Sequence, residues 1–261
     1  MIDFVRKIAV SAGKMALAEF AESGARKVSF KSEKDLVTES DRKIENFIIS
    51  EIHGKFPDHD IYGEETGKTG KGSEFCWVID PIDGTTSFVH GQPFFSVSIA
   101  LKRDGVTLAG AVNAPKLGEL FWAEKGQGAY CNENRIQVSS RDRLVDSVLA
   151  TGFACLRAGM KENNLPIFNK ILPELRGIRR YGSAAIDLSY VACGRLEGFW
   201  ELNLNDYDIA AGVLILQEAG GEVCDLRGKQ NYPGDGILAT NAKITKEFLG
   251  TINTSSCKMP D

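Results

Sequence analysis

Apolar residues recur at helical spacing near the start of the chain, where Phe4, Ile8, Ala12, Met15, Ala16 and Phe20 form one stripe among dispersed charges. That pattern predicts an amphipathic helix and differs from a signal peptide. The polar, irregular segment 28–40 reads as a loop. Behind it Ile44, Phe47, Ile48, Ile52 and Phe56 repeat at helical intervals after the capping-box-like pair Thr38 and Asp41. They predict a helix over about 40–55 that Pro57 ends.

The period then shortens. HDIYGEE and FCWVID read as strands, FFSVSIALKRDGVTLAGAVNAP alternates as a hairpin does, and ELFWAEKG and GAYCN continue the series. Between the first two, TGKTGKG has glycines beside lysines but lacks the GxxxxGK[ST] spacing, so it reads as a flexible connector. Residues 139–165 turn polar and irregular, and LPIFNKILPEL looks like a broken helix. A soft boundary near 140 separates two sub-lobes, 1–140 and 141–261, of one domain. Beyond it GSAAIDLSYVACG predicts a well-buried helix, LEGFWEL a strand, and DYDIAAGVLILQEAGG a helix stopped by Gly220 and Gly221. GEVCDL and GILATN add short strands, and ITKEFLGTI a last helix. The mixture predicts sheets sandwiched between helix layers.

Composition narrows the partners. A net charge of -4 provides no basic field for nucleic acid or an anionic membrane, and no apolar run reaches membrane-span length. The six cysteines, at 76, 131, 155, 193, 224 and 257, form no CxxC pair, which predicts a reduced, cytoplasmic protein without zinc or a disulfide framework. His53, His59 and His90 are not at ligand spacing, and GxSxG and HExxH are absent.

Three acidic clusters stand at the ends of apolar runs: Glu64 with Glu65, Asp80 with Asp83, and Asp206 with Asp208. Acids at such places often serve only turns and helix starts. In WVIDPIDGTTSF, however, Asp80 and Asp83 flank a proline turn that aims two carboxylates and the Ile82 carbonyl at one point. Gly84, Thr85 and Thr86 then open a helix, whose free N–H groups suit an anion. Hard-cation ligands beside a phosphate cradle point to metal-assisted phosphate-ester chemistry.

GEE at 63–65, WVIDPIDGTTSF at 77–88, GSAAIDLSYVACGR at 182–195 and DYDIAAGVLILQEAGG at 206–221 resemble the inositol monophosphatase family, in order along nearly the whole chain. The resemblance implies an α+β fold, a layered αβαβα sandwich of the sugar-phosphatase type. It also implies a dimer that hydrolyses small phosphorylated polyols or sugars with two or three Mg²⁺ ions and is inhibited by lithium. Nucleic acid and membrane are not expected as main partners. By that similarity Glu64, Asp80 and the Ile82 carbonyl hold one metal, and Asp80, Asp83 and Asp208 a second. Glu64 reaches a weaker third through water. Thr85 orients the attacking water with Asp41 as its partner, and Gly84 and Thr85 receive the phosphate. Glu201 binds sugar hydroxyls, Ser183 and Ala184 line the same pocket, and the segment Lys31 to Asp35 closes over it. Glu65 is expected outside the ligand set and Asp206 as a helix cap. Tyr207 departs from the family's usual Trp.

Overall fold

The N-terminal stripe forms helix α1 (Ile2–Ala21), which buries Val5, Ile8, Ala9, Ala12 and Ala16. The computed structural model describes residues 1–21, 28–32, 35–70 and 72–253. Residues 28–38, expected as a loop, pair instead as antiparallel strands β1 (Val28–Ser32) and β2 (Asp35–Thr38). Val, Phe and Leu in those two runs favour strands, and the interspersed charges hide the signal. The closing segment expected over Lys31 to Asp35 includes residues 33 and 34, which lie outside the described residues.

Helix α2 (Glu39–Lys55) follows, then β3 (Asp60–Gly63) and β4 (Gly67–Thr69) as an antiparallel pair. The glycine-rich connector is therefore partly a strand. The Asp60 carboxylate pins its end by accepting from the Gly72 and Ser73 N–H groups at 3.0 Å each. Next come β5 (Phe75–Asp83), α3 (Thr85–Val89), β6 (Ser96–Arg103), β7 (Val106–Ala114), β8 (Glu119–Glu124), β9 (Ala129–Cys131) and β10 (Asn134–Ile136). These strands and β3–β4 form a sheet ordered β10-β9-β8-β7-β6-β5-β3-β4, in which only β3 and β5 run parallel.

The irregular-looking stretch 139–165 holds β11 (Val148–Thr151) and α4 (Ala154–Arg157), both too short to show a period. Helix α5 (Leu165–Ile171) breaks into a 3₁₀ turn at Leu172–Glu174, as expected. It is followed by β12 (Gly177–Arg179), α6 (Ala184–Ala192), β13 (Gly198–Glu201), α7 (Asp206–Glu218), β14 (Glu222–Cys224), β15 (Ile237–Thr240) and α8 (Thr245–Asn253). The second sheet is ordered β12-β11-β13-β15-β14.

Packing stacks these elements in layers. Helices α1 and α2 cover one face of the first sheet, with Ile8, Ile44 and Ile48 against Trp77, Ile79 and Ile99. Helices α6 and α7 lie between the sheets and bring Ile186 and Leu214 together with Val112, Phe199 and Ala239. On the far face of the second sheet, Ile171 and Phe248 from α5 and α8 pack on Trp200 and Leu238. The order helix, sheet, helix, sheet, helix is the expected αβαβα sandwich, and it explains why α6 and α7 are apolar on nearly every face.

Small residues set how closely α7 approaches. A Cβ on Gly110 of β7 would lie 3.0 Å from the Ala211 Cα, and one on Gly212 would lie 2.8 Å from the Leu188 Cβ on α6. The run Ala210-Ala211-Gly212 thus places the start of α7, and with it Asp208. Among the described residues no helix is long and apolar enough to cross a membrane. Cys76, Cys131, Cys155, Cys193 and Cys224 are free thiols, and Cys257 lies outside the described residues.

Two alanine substitutions should move stability in opposite directions. Gly212→Ala adds a methyl where α6 is already in contact and should cost about 1–3 kcal/mol despite alanine's better helix propensity. Gly54→Ala, in α2 with nothing beyond its own stretch of helix within 4 Å of its Cβ position, should add about 0.5–1 kcal/mol. Denaturant titrations of the two variants check the signs.

Candidate active site

Residues 80 and 83 of a regular strand would project to opposite faces. Here β5 and β6 pair Asp80 with Ser98 and Asp83 with Ser96, so three steps on β5 match two on β6. The extra residue is a β-bulge, and it turns both carboxylates to one side. Pro81, which has no N–H for the ladder, sits where the ladder is interrupted. The expected turn over Asp80–Asp83 is therefore a bulge inside a continuous strand. The chain reverses at Gly84, whose φ of +91° and a Cβ position 2.7 Å from the Phe94 carbonyl oxygen admit only glycine.

Two helix starts aim the other oxygens. The Asp83 carboxylate caps α6, accepting from Ser183 Oγ at 2.5 Å, Ala185 N–H at 2.8 Å and Ala184 N–H at 3.3 Å. Ser183 is fully buried, caps the same helix through the Ile186 N–H and does not line the cavity. Its hydroxyl acts on the site through Asp83. Asp208 accepts from the Asn205 N–H at 2.5 Å across the first turn of α7. The cap of α7 is thus Asn205; Asp206, expected to cap it, is the first helical residue and pairs with Lys102. The Asn205-to-Asp208 spacing carries a capping-box-like signature in the sequence.

Glu64 directly follows β3 beside β5, with its N–H on the Ile79 carbonyl at 3.1 Å. Glu45, wholly buried on α2, holds the loop after it by accepting from Glu65 N–H at 3.0 Å and Thr66 N–H at 2.8 Å. Gly63 makes room, because a Cβ there would fall 2.7 Å from that carboxylate. Glu45 was missed in the sequence, although a charge in register with buried Asp41, Ile48 and Ile52 on one helix face was its signal. Glu65, expected outside the ligand set, has its carboxylate close to those of Asp41 and Glu64, with potential ligand atoms within 4.8 Å of one another.

Asp80, Asp83 and Asp208 form a second such group, also within 4.8 Å. Glu64, Asp80, Ile82, Asp83, Gly84, Thr85, Ala184, Glu201 and Asp208 all line one cavity of about 290 Å³. Thr85 Oγ1 lies 3.1 Å from the Ile82 carbonyl and 3.5 Å from Asp41 Oδ1. Glu201, at the end of β13, accepts from the Ala154 N–H at 3.1 Å, and Gly152 leaves space for its carboxylate. Tyr207 closes another side, edge-on to Tyr62 at 5.5 Å between centroids. No histidine lines the cavity. His59 accepts from Trp77 Nε1 at 3.0 Å and stacks on Phe56 and Phe75.

Burial is the first cause of every shift here. It holds the Asp80 and Asp208 carboxyls well above the usual carboxylate range, and neighbouring acids add to it in both. It lifts Asp83 to about 6 despite the bonds from Ser183, Ala185 and Ala184, and Glu201 to about 7 despite the Ala154 N–H, Arg180 and Arg157. Buried acids this close do not ionise together without a counter-charge. The donors are all oxygen, and the carboxylates converge, which fits a hard divalent cation such as Mg²⁺.

The profile of the inositol monophosphatase family matches residues 1–258. An inositol-1-monophosphatase of Mesorhizobium japonicum is 40% identical over 254 residues, covering 97% of this chain and 96% of that protein. The Nus factor SuhB of Pseudomonas aeruginosa is 41% identical over 258 residues, covering 97% and 95%. Among solved structures, the extragenic suppressor protein suhB of Bartonella henselae superposes with a TM-score of 0.92 at 39% identity, covering 97% and 98%. The inositol monophosphatase of Anabaena superposes with a TM-score of 0.87 at 36% identity, covering 96% and 94%.

The raised carboxyls have a pH signature. Because the folded values lie above the unfolded ones, protonation favours the fold, so the metal-free protein should lose stability as pH rises from about 4 to about 7. Millimolar Mg²⁺ should therefore raise Tm by several degrees at pH 8 and by less at pH 5.5. Thermal melts of chelator-treated protein at the two pH values, with and without Mg²⁺, check this.

Proposed function

The chain belongs to the inositol monophosphatase family, and on that footing we propose that it is a Mg²⁺-dependent phosphatase whose preferred substrate is inositol 1-phosphate. The family makes it a phosphoric monoester hydrolase. The observation that carries the finer reading is the single cavity in which the carboxylate cluster meets the glycine-threonine helix start and Glu201.

Glu64, Asp80, the Ile82 carbonyl, Asp83 and Asp208 would hold two ions, with a weaker third near Glu64. Such ions neutralise phosphoryl oxygens and lower the pKa of water. The chain's own groups do the rest. The Thr85 hydroxyl, with its proton directed at the Ile82 carbonyl or Asp41, keeps a lone pair to accept from a water and so orients that water. The first turn of α3 offers N–H groups at Gly84 and Thr85 to the phosphate. Ser183 and the α6 amides hold Asp83 in one orientation. Glu201 and the Ala184 wall receive the alcohol. In this reading the protein is a cytoplasmic homodimer, sensitive to lithium, with neither nucleic acid nor membrane as its main partner.

Fructose 1,6-bisphosphate, histidinol phosphate and adenosine 3′,5′-bisphosphate are the competing substrates. A second reading, a regulatory protein on the same scaffold, draws support from relatives named Nus factor that are as similar as those named phosphatases. The complete carboxylate set favours the enzyme.

A panel of these esters assayed with Mg²⁺ should give inositol 1-phosphate the highest kcat/KM; a preference of about tenfold or more for adenosine 3′,5′-bisphosphate would reject the substrate assignment. Asp83→Asn should lower turnover at least a hundredfold with the fold retained, and near-normal rates in that variant would remove Asp83 from the metal site. Millimolar lithium should inhibit the wild type in the same assay.

A further inference from the structure

One acid on the cavity wall has no part in the chemistry above. Asp187, in α6, is 2% exposed and lines the cavity alongside Glu201, Arg180 and Ala184. Its Oδ1 is sealed from solvent and has no hydrogen-bond partner among the described residues. A carboxylate near a helix start gains from the dipole, but an exposed one gains as much. Burying an acceptor without a partner costs more than the dipole returns, so the dipole does not account for this placement. Nor do the two carboxylate clusters, neither of which includes it.

Asp187 shares its cavity with Glu201, the acid proposed to receive the alcohol. Burial raises its pKa most, Glu201 and Asp83 add to that, and Arg180 opposes them. Rotation about χ2 turns the sealed oxygen toward the cavity, where a hydrogen-bond donor on a ligand would satisfy it.

We propose that Asp187 is a specificity residue that, together with Glu201, binds neighbouring hydroxyl groups of a polyhydroxylated alcohol carried by the phosphate. This rests on the phosphatase reading above and deepens it. A hydroxyl donates to a carboxylate and also accepts from a carboxylic acid, so it satisfies Asp187 in either protonation state. An aryl or alkyl alcohol offers the pair nothing and leaves the buried oxygen unpaired. Sites built to bind a substrate hydroxyl discriminate strongly against analogues that lack it.

The test is the ratio of kcat/KM for inositol 1-phosphate to that for phenyl phosphate, measured at saturating Mg²⁺. Asp187→Ala should lower this ratio at least tenfold, chiefly through the KM of inositol 1-phosphate. Asp187→Asn, which keeps an acceptor, should return it to within about threefold of wild type. Asp187→Leu fills the volume without polar atoms and should behave as alanine does, and it decides the matter if alanine does not fold. A ratio within twofold of wild type in a folded alanine or leucine variant, or equal losses on both esters, overturns the role of Asp187. A wild type that does not prefer inositol 1-phosphate removes the polyol reading itself, a failure visible before any variant is made.

Discussion

Three carboxylate oxygens, from the buried Asp80 and Asp83 and the half-buried Asp208, lie within 4.8 Å of one another. Two unit charges about 4 Å apart repel by roughly 4 kcal/mol at an effective dielectric constant near 20. The cluster must therefore take up protons or a cation, and the raised pKa values of its members express the same demand. A fold has to force such groups together, so most of what is distinctive in this chain concerns how that is done.

The forcing is distributed over three elements. An extra residue in β5 brings Asp80 and Asp83 to one side of the sheet. The N-terminus of α6 then fixes Asp83 with a hydroxyl and two amides. Close contacts at Gly110 and Gly212 set the depth at which α7 presents Asp208. Glu45 does the equivalent for the loop that carries Glu64, from behind and out of reach of the substrate. Each device spends packing freedom or buries a polar group, and each is stabilised by the two layers of core on either side. The same logic applies on the alcohol side, where Gly152 yields space to Glu201 and Asp187 is left without a partner in the protein.

Long periodic segments were readable from the residues alone. The stripe of α1, the breaking of α5 and the buried α6 are legible in the residues, and the mixture of helices with strands predicts the layered class. Several short elements were not readable: the strands β1, β2, β4 and β11 and the helix α4 contain too few residues to show a period, and β11 pairs with β13 far along the chain. At the site, the acids quoted from the motif do converge on one cavity, because they follow directly on strands or helix starts. What escaped was one step further back. Ser183, expected in the wall, lies beneath Asp83; Asn205, not Asp206, caps α7; and Glu45, not singled out in the sequence, holds the loop after Glu64. Such roles depend on which face of an element is buried, and sequence spacing constrains that only loosely.

The central claim is that the carboxylate cluster is a divalent-cation site whose empty form holds protons. Calorimetric titration of the chelator-treated protein with Mg²⁺ near pH 6.5, in two buffers of different ionisation enthalpy, addresses it directly. Saturable binding with net proton release is the predicted result, because the cation replaces the protons that burial retains on Asp80, Asp83 and Asp208. Absence of saturable binding up to tens of millimolar, or binding with no proton released, would contradict the account.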